Sequence, residues 1–192
     1  MKRTNLVLLV LGALLAPATY AAGAPDDASR WASVVANVGD WNVVQFLLPK
    51  GIFFRIASDS ANSGLRPWEQ YISFDFRPDH KCAQPLMVLA HHEASYVAAF
   101  DGGFLPISYK IPGQPESDDL ATTEMLRGDS YSYAQLHMAA DKLLLAHDKG
   151  FLVMWIPGSG DGTIRRSANV YFSLSGFTGA YQKAMSMCID NR

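Results

Sequence analysis

His91-His92-Glu93, with Asp79-His80 shortly before it, is the densest set of side chains in this sequence that could hold a metal ion or move a proton. Imidazoles and a carboxylate suit a divalent transition metal, and water bound to that metal would be a hydrolytic nucleophile. The spacing works against this chemistry. Successive residues on a strand point to opposite faces, so His91 and His92 converge on one ion only if a turn bends the backbone there. A helical zinc motif would set two histidines four apart around a glutamate, and no segment does so. His80, His91 and His92 are therefore expected to be ordinary surface histidines. Metal binding at these three is the rival reading, and no cofactor is expected.

Nucleophilic catalysis finds less support. Ser159 lies in Gly158-Ser159-Gly160, but the strand-turn-helix setting of a nucleophile elbow is missing and no SxxK pair occurs. Gly158 to Gly162 lacks the Lys-Ser/Thr that completes a phosphate-binding loop, so its glycines read as freedom at a turn. Asp26-Asp27 and Asp118-Asp119 fall on polar stretches and read as solvating charge. Arg127-Gly128-Asp129 matches an integrin-binding tripeptide, a match short enough to arise by chance. Trp68, Tyr71, Tyr131 and Tyr133 lie near loops and are candidates for a partner-binding surface, with core packing as the competing use.

The elements that position these residues are mostly strands. Trp41–Leu48, Gly51–Ala57, Gln70–Arg77, Pro85–Ala90 and Tyr96–Phe100 are rich in β-branched and aromatic residues and are separated by turn residues. In Gln70–Arg77, Tyr71, Ser73, Asp75 and Arg77 share one face and Ile72, Phe74 and Phe76 the other, as in a strand that covers a core with one side only. Pro49-Lys50-Gly51 and Asp101-Gly102-Gly103 read as hairpin turns. Asp59 to Pro67 and Pro112 to Asp119 read as exposed loops. Leu136, Ala140, Leu143 and Leu144 recur at helical spacing, which predicts a helix over Tyr133–His147 ended by Gly150 and carrying His137 and His147. Phe151–Ile156 and Ser167–Leu174 then form a hairpin, and Phe177–Met187 is a helix that carries Cys188. The fold expected is mainly β: an antiparallel β-sandwich or curved sheet with two helices in the C-terminal third, and α+β as the near alternative.

The chain has 192 residues, a net charge of −2 and two cysteines. Lys2 and Arg3 precede an uncharged apolar run from Leu6 to Leu15, followed by small residues around Ala21. That is the layout of a secretory leader too short to span a membrane. Residues 1–21 are read as a signal peptide and 22–192 as one secreted domain, periplasmic or exported, with no integral membrane segment. Loss of Lys2 and Arg3 leaves it more acidic, so a nucleic-acid partner is not indicated. In an oxidising compartment Cys82 and Cys188 are expected to form one disulfide.

Val38-Gly39-Asp40-Trp41-Asn42-Val43 resembles the opening strand of invasion-associated locus B proteins, which are secreted bacterial proteins. Leu143-Leu144-Leu145 to Lys149-Gly150, then Phe151-Leu152-Val153, and Phe172-Ser173-Leu174-Ser175-Gly176-Phe177 followed by Ala180 resemble that family's helix, strand and terminal pattern. Where the family usually has a cysteine soon after the Trp, this chain has Val44 and Gln45. The resemblance implies a β-rich accessory protein of the cell envelope, with a link to virulence and no catalytic residues to carry over. The functional expectation is a non-enzymatic periplasmic binding or accessory protein that engages another envelope or secreted protein. A metal-assisted hydrolase and a structural subunit of an envelope machine are the alternatives.

Overall fold

Period-two burial marks several of the strands. In Phe104–Lys110, for instance, Leu105, Ile107 and Tyr109 are buried while Phe104 and Lys110 face water. The computed structural model describes residues 31–62, 70–83, 86–92, 103–125, 131–158 and 165–192. They form strands β1 (Ala32–Val38), β2 (Trp41–Leu48), β3 (Gly51–Asn62), β4 (Gln70–Phe76), β5 (Leu86–His92), β6 (Phe104–Lys110), β7 (Ser117–Met125) and β8 (Tyr131–Ala139). The short helix α1 (Asp141–Leu144), strands β9 (Phe151–Gly158) and β10 (Arg165–Ser173), and helix α2 (Phe177–Asp190) follow.

All strand pairings are antiparallel. The order β3-β10-β9-β6-β7-β8-β5-β4 returns to β3 through the pairing of Phe54–Asp59 with Tyr71–Phe76, which closes a barrel of eight strands. The expected sandwich or open curved sheet is thereby corrected. A sandwich leaves sheet edges free, whereas here the first and last strands of the series hydrogen-bond to each other. β3 makes this possible by its length. Its first half pairs with β2 and its end, at Ser60 and Asn62, pairs with β10, while β4 takes the opposite edge. β1 and β2 extend the sheet beyond the barrel.

Phe54, Ile56, Ile72, Phe74, Leu136, Met154 and Phe172 belong to one buried cluster that fills the barrel. α2 packs against β1, β2, β3 and β4. Phe177 meets Trp41 edge-on at 4.9 Å and Phe74 at 5.9 Å, and Tyr181 meets Phe76 at 5.4 Å. The indole N–H of Trp41 donates to the Ser173 carbonyl at 2.9 Å. The backbones of Gly39 (φ +57°) and Gly176 (φ +85°) pass so closely that a Cβ on Gly176 would lie 2.2 Å from the Val38 carbonyl oxygen. Asp148 accepts from the backbone N–H of Thr178 at 2.7 Å and from its hydroxyl at 2.6 Å, which satisfies one of the N–H groups that the first turn of α2 leaves without a helical partner.

Cys82 and Cys188 are bonded, with their Cα atoms 6.0 Å apart. The bridge ties the end of α2 to the turn after β4 across 106 positions of sequence, and removing such a bridge from a secreted domain typically costs about 2–5 kcal/mol. No helix among the described residues is long and apolar enough to cross a membrane.

Four sequence expectations change. Tyr133–His147 is mostly strand β8, with only Asp141–Leu144 helical. Ser117–Met125, read in part as loop, is β7, and β3 runs on through Asp59 to Asn62. β4 is buried on both faces: Tyr71 and Ser73 are covered as fully as Ile72 and Phe74. The expected signal peptide at 1–21 and the expected strand at Tyr96–Phe100 lie outside the described residues.

Candidate functional site

The densest polar chemistry of the described residues sits on the outer face of β3 and β4. Arg55, in the middle of an apolar strand, is 1% exposed. Cross-strand pairing sets it opposite Asp75. Its Nε donates to Asp75 Oδ1 at 2.5 Å and a terminal nitrogen donates to Oδ2 at 2.8 Å, a two-pronged ion pair. Burial alone would lower the guanidinium pKa, but the Asp75 carboxylate, with lesser help from Tyr71 and Tyr133, holds it above its usual range. The guanidinium also lies 5.6 Å from the Phe46 ring centre and 5.8 Å from that of Phe53, and these two rings stack at 4.5 Å.

One charged group borders this pair, and a second lies farther along β3. Arg77 lies over the Phe53 ring at 4.8 Å and 3.8 Å from Asp75 Oδ2. Beside it, under the β2–β3 turn, opens a cleft of about 330 Å³. Asp59, opposite Tyr71 in the ladder, has its carboxyl pushed up to about 7 by burial. Asp75 and Arg77 were visible as one face of a strand, but their link to Arg55 was not. The signal that could have revealed it is an arginine inside an otherwise apolar strand, because such a charge requires a partner.

The sequence-predicted candidates are not brought together. Tyr71 and Tyr133 are buried, at 3% and 2% exposure, on the face that holds Arg55. Tyr131 and the two histidines His91 and His92 are placed only in their backbone: His92 pairs with Tyr131, and His91 with Gln70 and Ser132. His80 is exposed beside Asp79, with Nε2 to Oδ2 at 3.9 Å. No group of three metal-ligating side chains occurs among the described residues. His137, expected on a helix, lies on β8, where Asp119 accepts from its backbone N–H at 2.7 Å and meets its Nδ1 at 3.0 Å. Trp68, Ser159, Asp26-Asp27 and Arg127-Gly128-Asp129 lie outside the described residues.

A different surface stands out at the sheet margin. Among the described residues β1 pairs on one side only, with β2. It contains no charge and no proline, and Trp31, Val34 and Val35 are 38%, 37% and 36% exposed. A register shift between Val34 and Ala36 leaves Val35 unmatched.

The architecture itself has a counterpart. The chain is similar in fold to invasion associated protein B from Bartonella henselae. The likeness covers 83% of this chain and 100% of that structure, with a TM-score of 0.58 and 9% sequence identity. At that identity the comparison supports a shared fold and transfers no site. No family model matches the chain, and a search of curated proteins finds none that matches.

Proposed function

We propose that the protein is a non-enzymatic accessory protein of the bacterial envelope, periplasmic or exported, that engages another envelope or secreted protein through β1. The observation that carries this reading is the edge of β1, which no described strand pairs. Soluble proteins protect edge strands with charges, prolines or coverage, because a row of unpaired N–H and C=O groups is a template for another chain. β1 has neither charge nor proline; its ladder is interrupted only by the bulge at Val35, which lies amid exposed apolar side chains. An extended segment of a partner added there would continue the sheet, with main-chain hydrogen bonds supplying affinity. The disulfide suits an oxidising compartment. The end motifs, together with a shared fold with a protein titled invasion associated, favour a distant relation to that family and a role in virulence.

Val35→Lys places a charge on the exposed edge while sparing the barrel, so it tests the reading. Cross-linked capture from periplasm should give one partner in fixed ratio with the native chain and lose it with Val35→Lys at an unchanged melting temperature. Capture that is indifferent to Val35→Lys would refute the assignment to β1.

A further inference from the structure

We propose that the cleft beneath the β2–β3 turn is a receptor for a carboxylate of an acidic peptide segment, gripped by Arg77. The cleft measures about 330 Å³, at the lower end of the size of small-ligand sites. Its walls combine Ile52 and Phe53 with Lys50, Arg77 and Arg192, against Asp79 as the acidic side chain. The lining therefore combines basic and apolar side chains, with Arg77 held against Phe53.

Arg77 is the decisive group. Its side chain is only 27% exposed, and its guanidinium is held over the Phe53 ring at 4.8 Å. Its ion-pair partner Asp75 stands at 3.8 Å, beyond hydrogen-bond reach, and both Asp75 oxygens are already engaged by Arg55. The guanidinium donates no hydrogen bond to any described residue, so a planar fork of N–H donors, oriented by an aromatic ring, is left unused beside the cleft. A carboxylate matches that fork with two parallel bonds, and stacking removes much of the freedom the side chain would otherwise lose on binding. Ile52, half-buried in the cleft wall, would take an apolar side chain neighbouring the acid. The ligand chemistry is thus an acidic residue flanked by an apolar one. The inference rests on the protein-partner reading only in taking the carboxylate from a peptide, and it does not involve β1.

Calorimetric titration of the full chain decides it, with acetyl-Phe-Glu-Glu-Phe-amide, acetyl-Phe-Gln-Gln-Phe-amide and inorganic phosphate as probes. The Glu peptide should bind roughly tenfold or more tighter than the Gln peptide, as expected for a charge-assisted bidentate contact. Arg77→Gln should abolish that preference and Arg77→Lys should retain part of it. Lys110→Gln, which removes an equal charge from an exposed site on β6, should leave it intact. Val35→Lys should also leave it intact, which separates this site from the β1 reading. Equal affinity for the two peptides, phosphate binding as tight as the Glu peptide, or equal loss in Lys110→Gln would each overturn the proposal. If Arg77→Gln fails to fold, Arg77→Lys still decides, since undiminished preference in that variant would show that the fork is not used.

Discussion

Asp59 shows how position outweighs residue type. From the sequence it opens a polar loop, yet β3 carries it four residues past Arg55 onto the same covered face, opposite Tyr71. Burial raises its folded-state pKa from 3.8 to about 7. Between those values the folded chain holds a proton that the unfolded chain releases, so stability falls as pH rises through this window and levels off above it. The difference is about 3 pKa units, equivalent to at most about 4 kcal/mol. Asp59→Asn should remove that slope: melting temperature measured between pH 5 and 8 should decline in the native chain and stay flatter in the variant, which becomes the more stable at pH 8. Parallel curves would show that Asp59 ionises freely in the folded state. Arg55 behaves differently, because Asp75 offsets the burial that opposes its charge. Neither environment was legible from local pattern, since both depend on which strand lies alongside.

At the scale of elements, the entry to α2 is fixed by backbone contact. Gly176 sits at φ +85° with its Cα facing the Val38 carbonyl, and Asp40 donates its N–H to the Ser175 carbonyl at 3.0 Å. Gly176→Ala would combine an unfavourable left-handed conformation with a Cβ placed 2.2 Å from backbone, which requires β1 and α2 to separate. A loss of roughly 2 kcal/mol or more is expected, read as a lower urea midpoint with far-UV dichroism of the folded state retained. An unchanged midpoint would mean that this contact does not hold the helix. α2, β2 and the β9–β10 hairpin were readable from sequence because each has a single strong period and clear turn residues at its ends. β8 was not, because Leu136 and Ala140 are four apart, an interval that satisfies both a strand and a helix. Ala134, Leu136, Met138 and Ala140 are all buried, so the period of two wins. β7 was missed because Ser117-Asp118-Asp119 reads as a turn, although Ser108 donates to Asp118 across the β6–β7 pair at 2.6 Å. β1 shows too little contrast between its faces to announce itself, since none of its residues is charged and none is fully buried.

For the whole molecule, the strand-like runs and the cysteine pair led to the expectation of a disulfide-bridged β-rich fold, and the disulfide and the strands are present. Closure did not follow from them. Whether a set of antiparallel strands ends as a sandwich or a barrel depends here on one long-range pairing, the end of β3 with β10, made while β4 holds the other edge of β3, and local periodicity is the same in both outcomes. Closure has a functional consequence. It pairs each barrel strand on both sides over at least part of its length and leaves β1, held outside by β2, as the strand paired on one side only among the described residues. Site-specific photo-cross-linking in the periplasm tests this most directly, with a photoreactive residue at Val35 on β1 or at Leu120, an apolar position 51% exposed on the barrel wall. An adduct of one defined mass from Val35 and none from Leu120 is the predicted result; adducts from Leu120 alone, or the same adducts from both, would contradict it.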